Sequence, residues 1–535
     1  MDSLDCRLIE EIVTNSKELD DFLKQELKKT IENSLVEHSL RVQYPLDKDI
    51  RDELKDIKRA CNNGSDYDIY RKAEEIINLW KLLIKKSIIC LRYFDTREPF
   101  QEKNQKQPHA YGVEELAAYY KDYNEFEQVL YGGVKYYRDH VIHVFRVWLL
   151  GISRLLKDKC NYLNHVIVEE PYKVTGYEKI SMWTIISLCH DLGYPLEKSL
   201  QVVDKTKNMM KSFVHNPLVN MDISFSGVQD SMNDYVLRFV SSKMWEYNEE
   251  NHYTVESTKD KLDEEKRKIE KLNSGEYKKH LEKKRYVARL QPKYYFKFQK
   301  SLEHYDHGIL STLIVYKTLL YFLESDYSIN EDYRFDGEDS RQFYIRREIL
   351  RSMASHTCSD IYQNDMFRFS FLLILCDDAQ EWGRKKITEL YVPSSDQYQF
   401  GSIEFEINES DKHKCEFSDE HIVNKDEDVQ SIIDSFKRQS VTYRNIFRDG
   451  LDTVKRNFTF IRKMTIDYQP VSDSNKIKYV IKLTVSAEDQ TKVTWTKNDD
   501  YKYDENDSLT KSIKEAFRDY CVAEGNKQEN EIILD

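Results

Sequence analysis

The sequence predicts a mainly α fold, a helical bundle with a helical N-terminal region and a smaller C-terminal α+β domain. Up to about residue 390, apolar residues recur at three- and four-residue spacing in one segment after another. The composition, 33% charged, 40% hydrophobic and 13% aromatic over 535 residues, describes a globular, helix-rich chain with ample core. Beyond residue 390 the pattern changes to alternation and β-branched runs, as in Ile403–Ile407 (IEFEI), Met464–Tyr468 (MTIDY) and Lys478–Ser486 (KYVIKLTVS).

Taken in order, residues 1 to about 95 read as helices. In Ala73–Tyr93 the apolar positions keep helical spacing and acids precede bases, as the helix dipole favours. The stretch Asp95–Gln107 has no apolar period and one proline, so a linker is expected there, closing an N-terminal region at residue 107. A central domain is expected over 108–390. Its helical pattern covers Val113 to about Lys157, Ile180–Cys189, Gly308–Leu323, Arg346–Ala354 and Phe367–Trp382. Charge dominates Val255–Lys284, which predicts an exposed helical hairpin or a mobile insertion; with the basic residues that follow, it forms a charged helical insertion over about 255–300. The α+β domain, 391–535, is expected to add helices near Asp428–Lys437 and Leu509–Tyr520 and to regulate or oligomerise the protein.

Several function classes are excluded. With 15 glycines and neither GxxxxGK nor GxGxxG, the chain lacks the usual phosphate and dinucleotide loops. Nine scattered cysteines without a CxxC pair argue against a disulfide framework or structural zinc, and a reducing, cytoplasmic setting fits best. No apolar run approaches the ~20 residues of a bilayer helix, so no membrane partner is expected. A net charge of -13 opposes broad attraction to nucleic acid without excluding a local basic site.

The chemistry concentrates in a few helix-associated clusters. In Ser187–Pro195 (SLCHDLGYP) an apolar helix runs into His190 and Asp191 and is broken by Gly193 and Pro195, leaving two metal-competent side chains near a helix end. Upstream, Tyr137–Val147 (YRDHVIHVFRV) sets His143 on an apolar helical face with His140 a turn earlier. Downstream, the apolar Phe371–Cys376 leads into Asp377 and Asp378, carboxylates that would be costly to bury without a cation. His307 and His356 also stand at the ends of apolar helices.

This order of motifs, His143, His190-Asp191, His307, His356, Asp377, resembles the HD superfamily of metal-dependent phosphohydrolases over about Tyr137–Arg384. The resemblance implies a helical core in which His143, His190, Asp191 and Asp377 hold one divalent ion, with Asp191 bridging to a second ion held by His307 and His356. It implies one or two ions of Mn, Mg, Fe or Zn, and mixed nitrogen and oxygen donors with open positions suit hydrolysis. Asp191, His307, His140 and Lys198 are the candidate catalytic residues. Where many relatives carry a lysine after the HD motif, this chain has Tyr194, and Lys198 is the available replacement for that charge. Gly-Tyr-Pro looks like the Gly-His-Pro of the deoxynucleoside triphosphate triphosphohydrolase branch, whereas the His307 and His356 pair looks like the two-metal branches that cut phosphodiesters.

Substrate contacts are expected from Arg138, Tyr194, Arg285, Arg289, Lys293 and Lys297. The last four belong to a basic segment interleaved with aromatics that leads into His307. The leading expectation is hydrolysis of deoxynucleoside triphosphates to nucleoside and triphosphate. The alternatives are a phosphodiesterase of cyclic or short oligonucleotides, and a nucleotide sensor without turnover. A homo-oligomer and a regulatory nucleotide or protein partner are compatible with the resemblance, and control of nucleotide pools in antiviral defence would suit such an enzyme.

Overall fold

A computed structural model describes residues 4–30, 45–60, 72–95, 110–134, 137–157, 161–166, 172–213, 228–248, 253–255, 284–324, 329–330, 332–361 and 367–384, together with 399–407, 415–424, 461–470, 476–485, 494–495 and 533–534. The chain divides into two compact units, residues 1–361 with 385–387, and residues 362–384 with 388–535. The expectation of a mainly α protein holds. No described helix is long and apolar enough to cross a membrane.

In the first unit the described helices are α1 (Leu4–Thr30), α2 (Lys48–Ala60), α3 (Ala73–Tyr93), α4 (Val113–Gly133), α5 (Val141–Leu156), α6 (Asn161–His165), α7 (Gly176–Cys189), α8 (Tyr194–Phe213) and α9 (Val228–Ser241). Three strands follow, β1 (Ser242–Asn248), β2 (Tyr253–Val255) and β3 (Arg285–Leu290), and then α10 (Pro292–Glu303), α11 (His307–Thr318), α12 (Leu320–Leu323) and α13 (Gly337–His356).

Helix α7 is the axis of the core. Every described side chain from Tyr177 to Cys189 is buried, so it must be covered all round. It starts at a capping box in which the Thr175 hydroxyl accepts from the Glu178 amide and the Glu178 carboxylate accepts from the Thr175 amide. Glu178 is buried, and the Arg341 guanidinium of α13 supplies its counter-charge at 2.5 Å. Trp80 of α3 donates to the Leu188 carbonyl at 2.8 Å, and Trp148 of α5 donates to the Thr184 hydroxyl at 3.1 Å. Helix α1 is tied to α5 by the buried Asp5 and Arg146 pair, at 2.8 Å. Each fully buried Trp, Ile or Leu in this layer contributes roughly 1.5–3 kcal/mol.

Three expectations are corrected. The helical pattern from Val113 to Lys157 is broken between α4 and α5, so His140 precedes α5 as its N-cap residue and does not lie within the helix. The break follows Gly132 and Gly133, and the buried Glu127 of α4 then takes the His140 and Val141 amides, which have no partner within α5. Second, the charged insertion is not wholly helical: β1, β2 and β3 form an antiparallel sheet in the order β2-β1-β3. High charge hid a strand in RYVARL, whose Tyr286, Val287 and Ala288 are buried. Residues 256–283 lie outside the described residues. Third, Asp95, placed in the linker by its polar surroundings, is buried and pairs with Arg346 at 3.5 Å; residues 96–109 lie outside the described residues.

In the second unit, α14 (Phe369–Ala379) precedes β4 (Gln399–Ile407), β5 (Cys415–Asn424), β6 (Ile461–Pro470) and β7 (Lys476–Val485). These four strands make an antiparallel sheet in the order β4-β5-β7-β6. Two short strands, β8 (Thr494–Trp495) and β9 (Ile533–Leu534), pair in parallel. The helices expected near Asp428–Lys437 and Leu509–Tyr520 lie outside the described residues.

Candidate metal centre

Four helix ends in the first unit bring five of the expected ligands together. His143 stands in the first turn of α5, His190 and Asp191 follow the last residue of α7, His307 begins α11 and His356 ends α13. The N-terminus of α5 is fixed by two acids: Asp139 accepts from the His143 amide at 3.1 Å, and Glu127 accepts from the His140 amide at 2.6 Å. Two glycines permit the close approach. A Cβ on Gly193 would lie 2.4 Å from the His307 carbonyl oxygen. A Cβ on Gly308 would lie 2.6 Å from the Met353 carbonyl oxygen and 2.9 Å from His356 Nδ1.

Asp191 is buried at the centre of this arrangement. Its Oδ2 faces Nε2 of His143 at 3.8 Å and of His190 at 3.6 Å. Its Oδ1 faces Nε2 of His307 at 3.2 Å and of His356 at 3.7 Å. The donors therefore form two trios sharing one carboxylate, His143–His190–Asp191 and Asp191–His307–His356, with ligand atoms within 4.8 Å of one another in each. At such separations two donors can share an ion bonded to each at ~2.0–2.2 Å.

The ring orientations suit that use. His190 Nδ1 lies 2.8 Å from the Ser187 carbonyl and His356 Nδ1 lies 2.6 Å from the Met353 carbonyl. A carbonyl oxygen only accepts, so in both rings Nδ1 carries a proton and Nε2 is the nitrogen turned toward Asp191, where it can bind a cation. His307 Nδ1 donates to Glu197 Oε2 at 2.6 Å, and the His307 amide donates to the same oxygen at 3.1 Å. Such acceptors behind a ligating imidazole fix its tautomer and raise its basicity. A buried set of imidazoles around one carboxylate can hold a metal ion.

The electrostatics point the same way. Burial alone would raise the Asp191 pKa, but the surrounding imidazoles, His190, His307 and His356, outweigh it and hold the carboxyl well below its ordinary range. Burial would lower that of His307, but Asp191 and Glu197 raise it to about 10. Without a cation, His307 thus carries its positive charge between two carboxylates. Glu197 is held down to about 2: its burial opposes this, while His307 and then Lys198 outweigh the burial.

The remaining expected residues fall into two groups. His140, Tyr194 and Lys198 border the centre: the His140 ring stacks on Tyr194 with centroids 3.7 Å apart, Tyr194 lies 5.2 Å from the His307 ring, and Lys198 Nζ sits 4.7 Å above Tyr194 while pairing with Glu197. Arg138 is half-buried just before α5. The basic segment is spread over other structure. Arg285 and Arg289 lie on β3, Lys293 is exposed on α10, and Lys297 donates to the Asp360 carbonyl. Asp377 stands near the end of α14 in the second unit, half-buried behind the buried Cys376.

Two acids were missed from sequence. Glu197 could have been suspected as an acid in the first turn of α8, six residues after Asp191. Nothing in the sequence marks Glu127, which acts only because α4 folds back on α5. The chain matches no protein-family model, no curated protein and no solved structure.

Proposed function

We propose that this protein is a metal-dependent phosphohydrolase acting on nucleotides, and that its leading substrates are deoxynucleoside triphosphates, cleaved to deoxynucleoside and triphosphate. The observation that carries the reading is the buried Asp191 carboxylate between two pairs of imidazoles. Divalent ions held there would supply Lewis-acid activation of water and neutralise charge on phosphoryl oxygens. His143, His190 and Asp191 are the proposed ligands of one ion, with Asp377 added by motif order. Asp191, His307 and His356 are the proposed ligands of a second.

The chain's own residues do the rest. Glu197 holds His307 by both its ring and its amide, so the ring keeps one orientation. Tyr194, packed on His140, presents a half-buried ring beside the centre on which a base or sugar can rest. Lys198, a cation at that ring, is placed to draw a polyphosphate once it exchanges its Glu197 contact.

A second reading has its own support. A carboxylate shared by two donor sets suits in-line cleavage of a phosphodiester, so a cyclic or short oligonucleotide is the alternative substrate. The test is to incubate the purified chain with Mn²⁺ or Mg²⁺ and a panel of deoxynucleoside triphosphates, cyclic dinucleotides and short oligonucleotides, and to resolve products by chromatography. Nucleoside plus triphosphate supports the leading reading, and linearised or shortened oligonucleotide supports the second. Metal uptake without turnover of any substrate would leave a nucleotide-binding protein in place of an enzyme.

A further inference from the structure

We propose that the Tyr123 hydroxyl holds a phosphoryl oxygen of the substrate at the metal centre. The inference rests on the phosphohydrolase reading and adds to it a substrate-binding residue outside the motifs that carry that reading. Helix α4 turns a row of polar side chains toward the elements that bear the donors. Tyr119, Tyr123 and Glu127 follow one another at four-residue spacing, with Tyr120 beside them, so they share a face of the helix. Both ends of the row are bonded to the scaffold of the centre. The Tyr119 hydroxyl donates to the Leu192 carbonyl at 2.6 Å, next to Asp191, and the Tyr120 hydroxyl donates to the Val141 carbonyl at 2.7 Å, two residues before His143. At the other end, Glu127 accepts from the Tyr137 hydroxyl at 2.6 Å and from the His140 amide at 2.6 Å.

Tyr123 stands in the middle of this row and differs from its neighbours. It is 3% exposed, and among the described residues its hydroxyl has no hydrogen-bond partner. Burial, and then the charges of Glu127 and Asp191, hold its pKa well above the ordinary phenol range. The hydroxyl therefore lies within reach of the Asp191 charge, keeps its proton, and serves as a neutral donor and not as a base. A buried donor without an acceptor costs the full desolvation of the group, so its place in a folded protein calls for a partner.

Depth and charge identify that partner. Tyr194 is half-buried, whereas Tyr123 and Asp191 are buried. A nucleotide whose base or sugar rests on the Tyr194 ring thus turns its phosphoryl end inward, toward Asp191 and the hydroxyl. Divalent ions on Asp191 would make that end of the site positive and draw the same group. A phosphoryl oxygen is a charged acceptor, and hydrogen bonds to charged acceptors are about twice as strong as neutral ones. A cationic or purely apolar ligand would leave the hydroxyl unpaired.

The test uses the full chain, loaded with Mn²⁺ and freed of unbound ion, with inorganic phosphate as the probe because it carries neither base nor sugar. Phosphorus NMR follows binding, since bound Mn²⁺ speeds the relaxation of phosphate held beside it. Mn²⁺ uptake is measured first in every variant. Tyr123→Phe deletes only the hydroxyl. It should take up Mn²⁺ as the parent does and bind phosphate roughly 10–100-fold more weakly. Without phosphate it should melt at a higher temperature than the parent, because an unpaired buried donor is gone. Tyr119→Phe, the same chemical change at a hydroxyl that has its acceptor, should instead melt lower than the parent. The inference is overturned by unchanged phosphate affinity in ion-loaded Tyr123→Phe, by an ion-loaded parent that binds no phosphate, or by a Tyr123→Phe that melts lower, the mark of a hydroxyl bridged by buried water. A parent that takes up no Mn²⁺ overturns the metal centre and this inference together, and the uptake measurement tells that failure from the others. Failure of the hydrolytic reading shows in the product assay, whereas failure here shows in phosphate binding, so the two are distinguishable.

Discussion

Glu197 offers the most discriminating test of the metal centre, because it touches one donor trio and not the other. Its Oε2 accepts from His307 Nδ1 at 2.6 Å and from the His307 amide at 3.1 Å, while the histidines of the other trio, His143 and His190, face the opposite oxygen of Asp191. Removing an acceptor behind a ligating imidazole weakens metal binding by roughly 10–100-fold, or about 1.4–2.8 kcal/mol. Glu197→Ala should therefore weaken one of two Mn²⁺ sites by that factor and change the other by less than about threefold. Glu197→Gln keeps an oxygen acceptor for the ring but loses its charge, so it should fall between parent and alanine. The assay is titration of metal-stripped protein with Mn²⁺, following free ion by electron paramagnetic resonance and heat by calorimetry. His143→Ala supplies the mirror image, with the other site lost. Parallel weakening of both sites in Glu197→Ala, or no change in either, would refute the division of Asp191 between two ions.

Other outcomes follow from the same geometry. Asp191→Ala should abolish binding at both sites and end any hydrolysis while leaving the helical circular dichroism largely intact; retained metal content would place the centre elsewhere. Gly193→Ala pushes a Cβ to 2.4 Å from the His307 carbonyl oxygen and 2.6 Å from Leu310 Cβ, so thermal melting should show a loss of roughly 1–3 kcal/mol. Gly132→Ala meets nothing within 4 Å and should instead gain about 0.4–1 kcal/mol. Burial, and then the charge of Asp139, raise Glu127 to about 8, although Tyr137 and the His140 and Val141 amides partly offset them. Between its ordinary 4.5 and about 8 the folded chain keeps a proton that the unfolded chain releases, so this group's contribution to stability falls as pH rises through that window. Glu127→Gln, neutral throughout, should show a smaller fall in melting temperature from pH 5 to pH 8 than the parent; an equal fall would count against a protonated Glu127.

The sequence alone determined the class of fold and marked the histidines and the aspartate that the structure brings together. Helical spacing survives wherever a helix has a buried face, so the segments that became α3, α7, α11 and α13 were readable from periodicity. His190 and Asp191 were readable because glycine and proline end an apolar helix just after them. Local pattern failed where pairing with a distant segment decided the outcome. RYVARL became a strand because Ser242–Asn248 lies beside it, and its charges concealed that partner. Only the tertiary structure could divide the two oxygens of Asp191 between four rings, or set Glu197 behind His307 and Glu127 beneath the start of α5. Those relations depend on where helix ends meet, and the meeting depends on contacts such as Gly193 against His307 and Gly308 against Met353, which join residues more than forty positions apart. Periodicity fixes which face of a helix is buried, but distances between faces are set by close packing of the whole core.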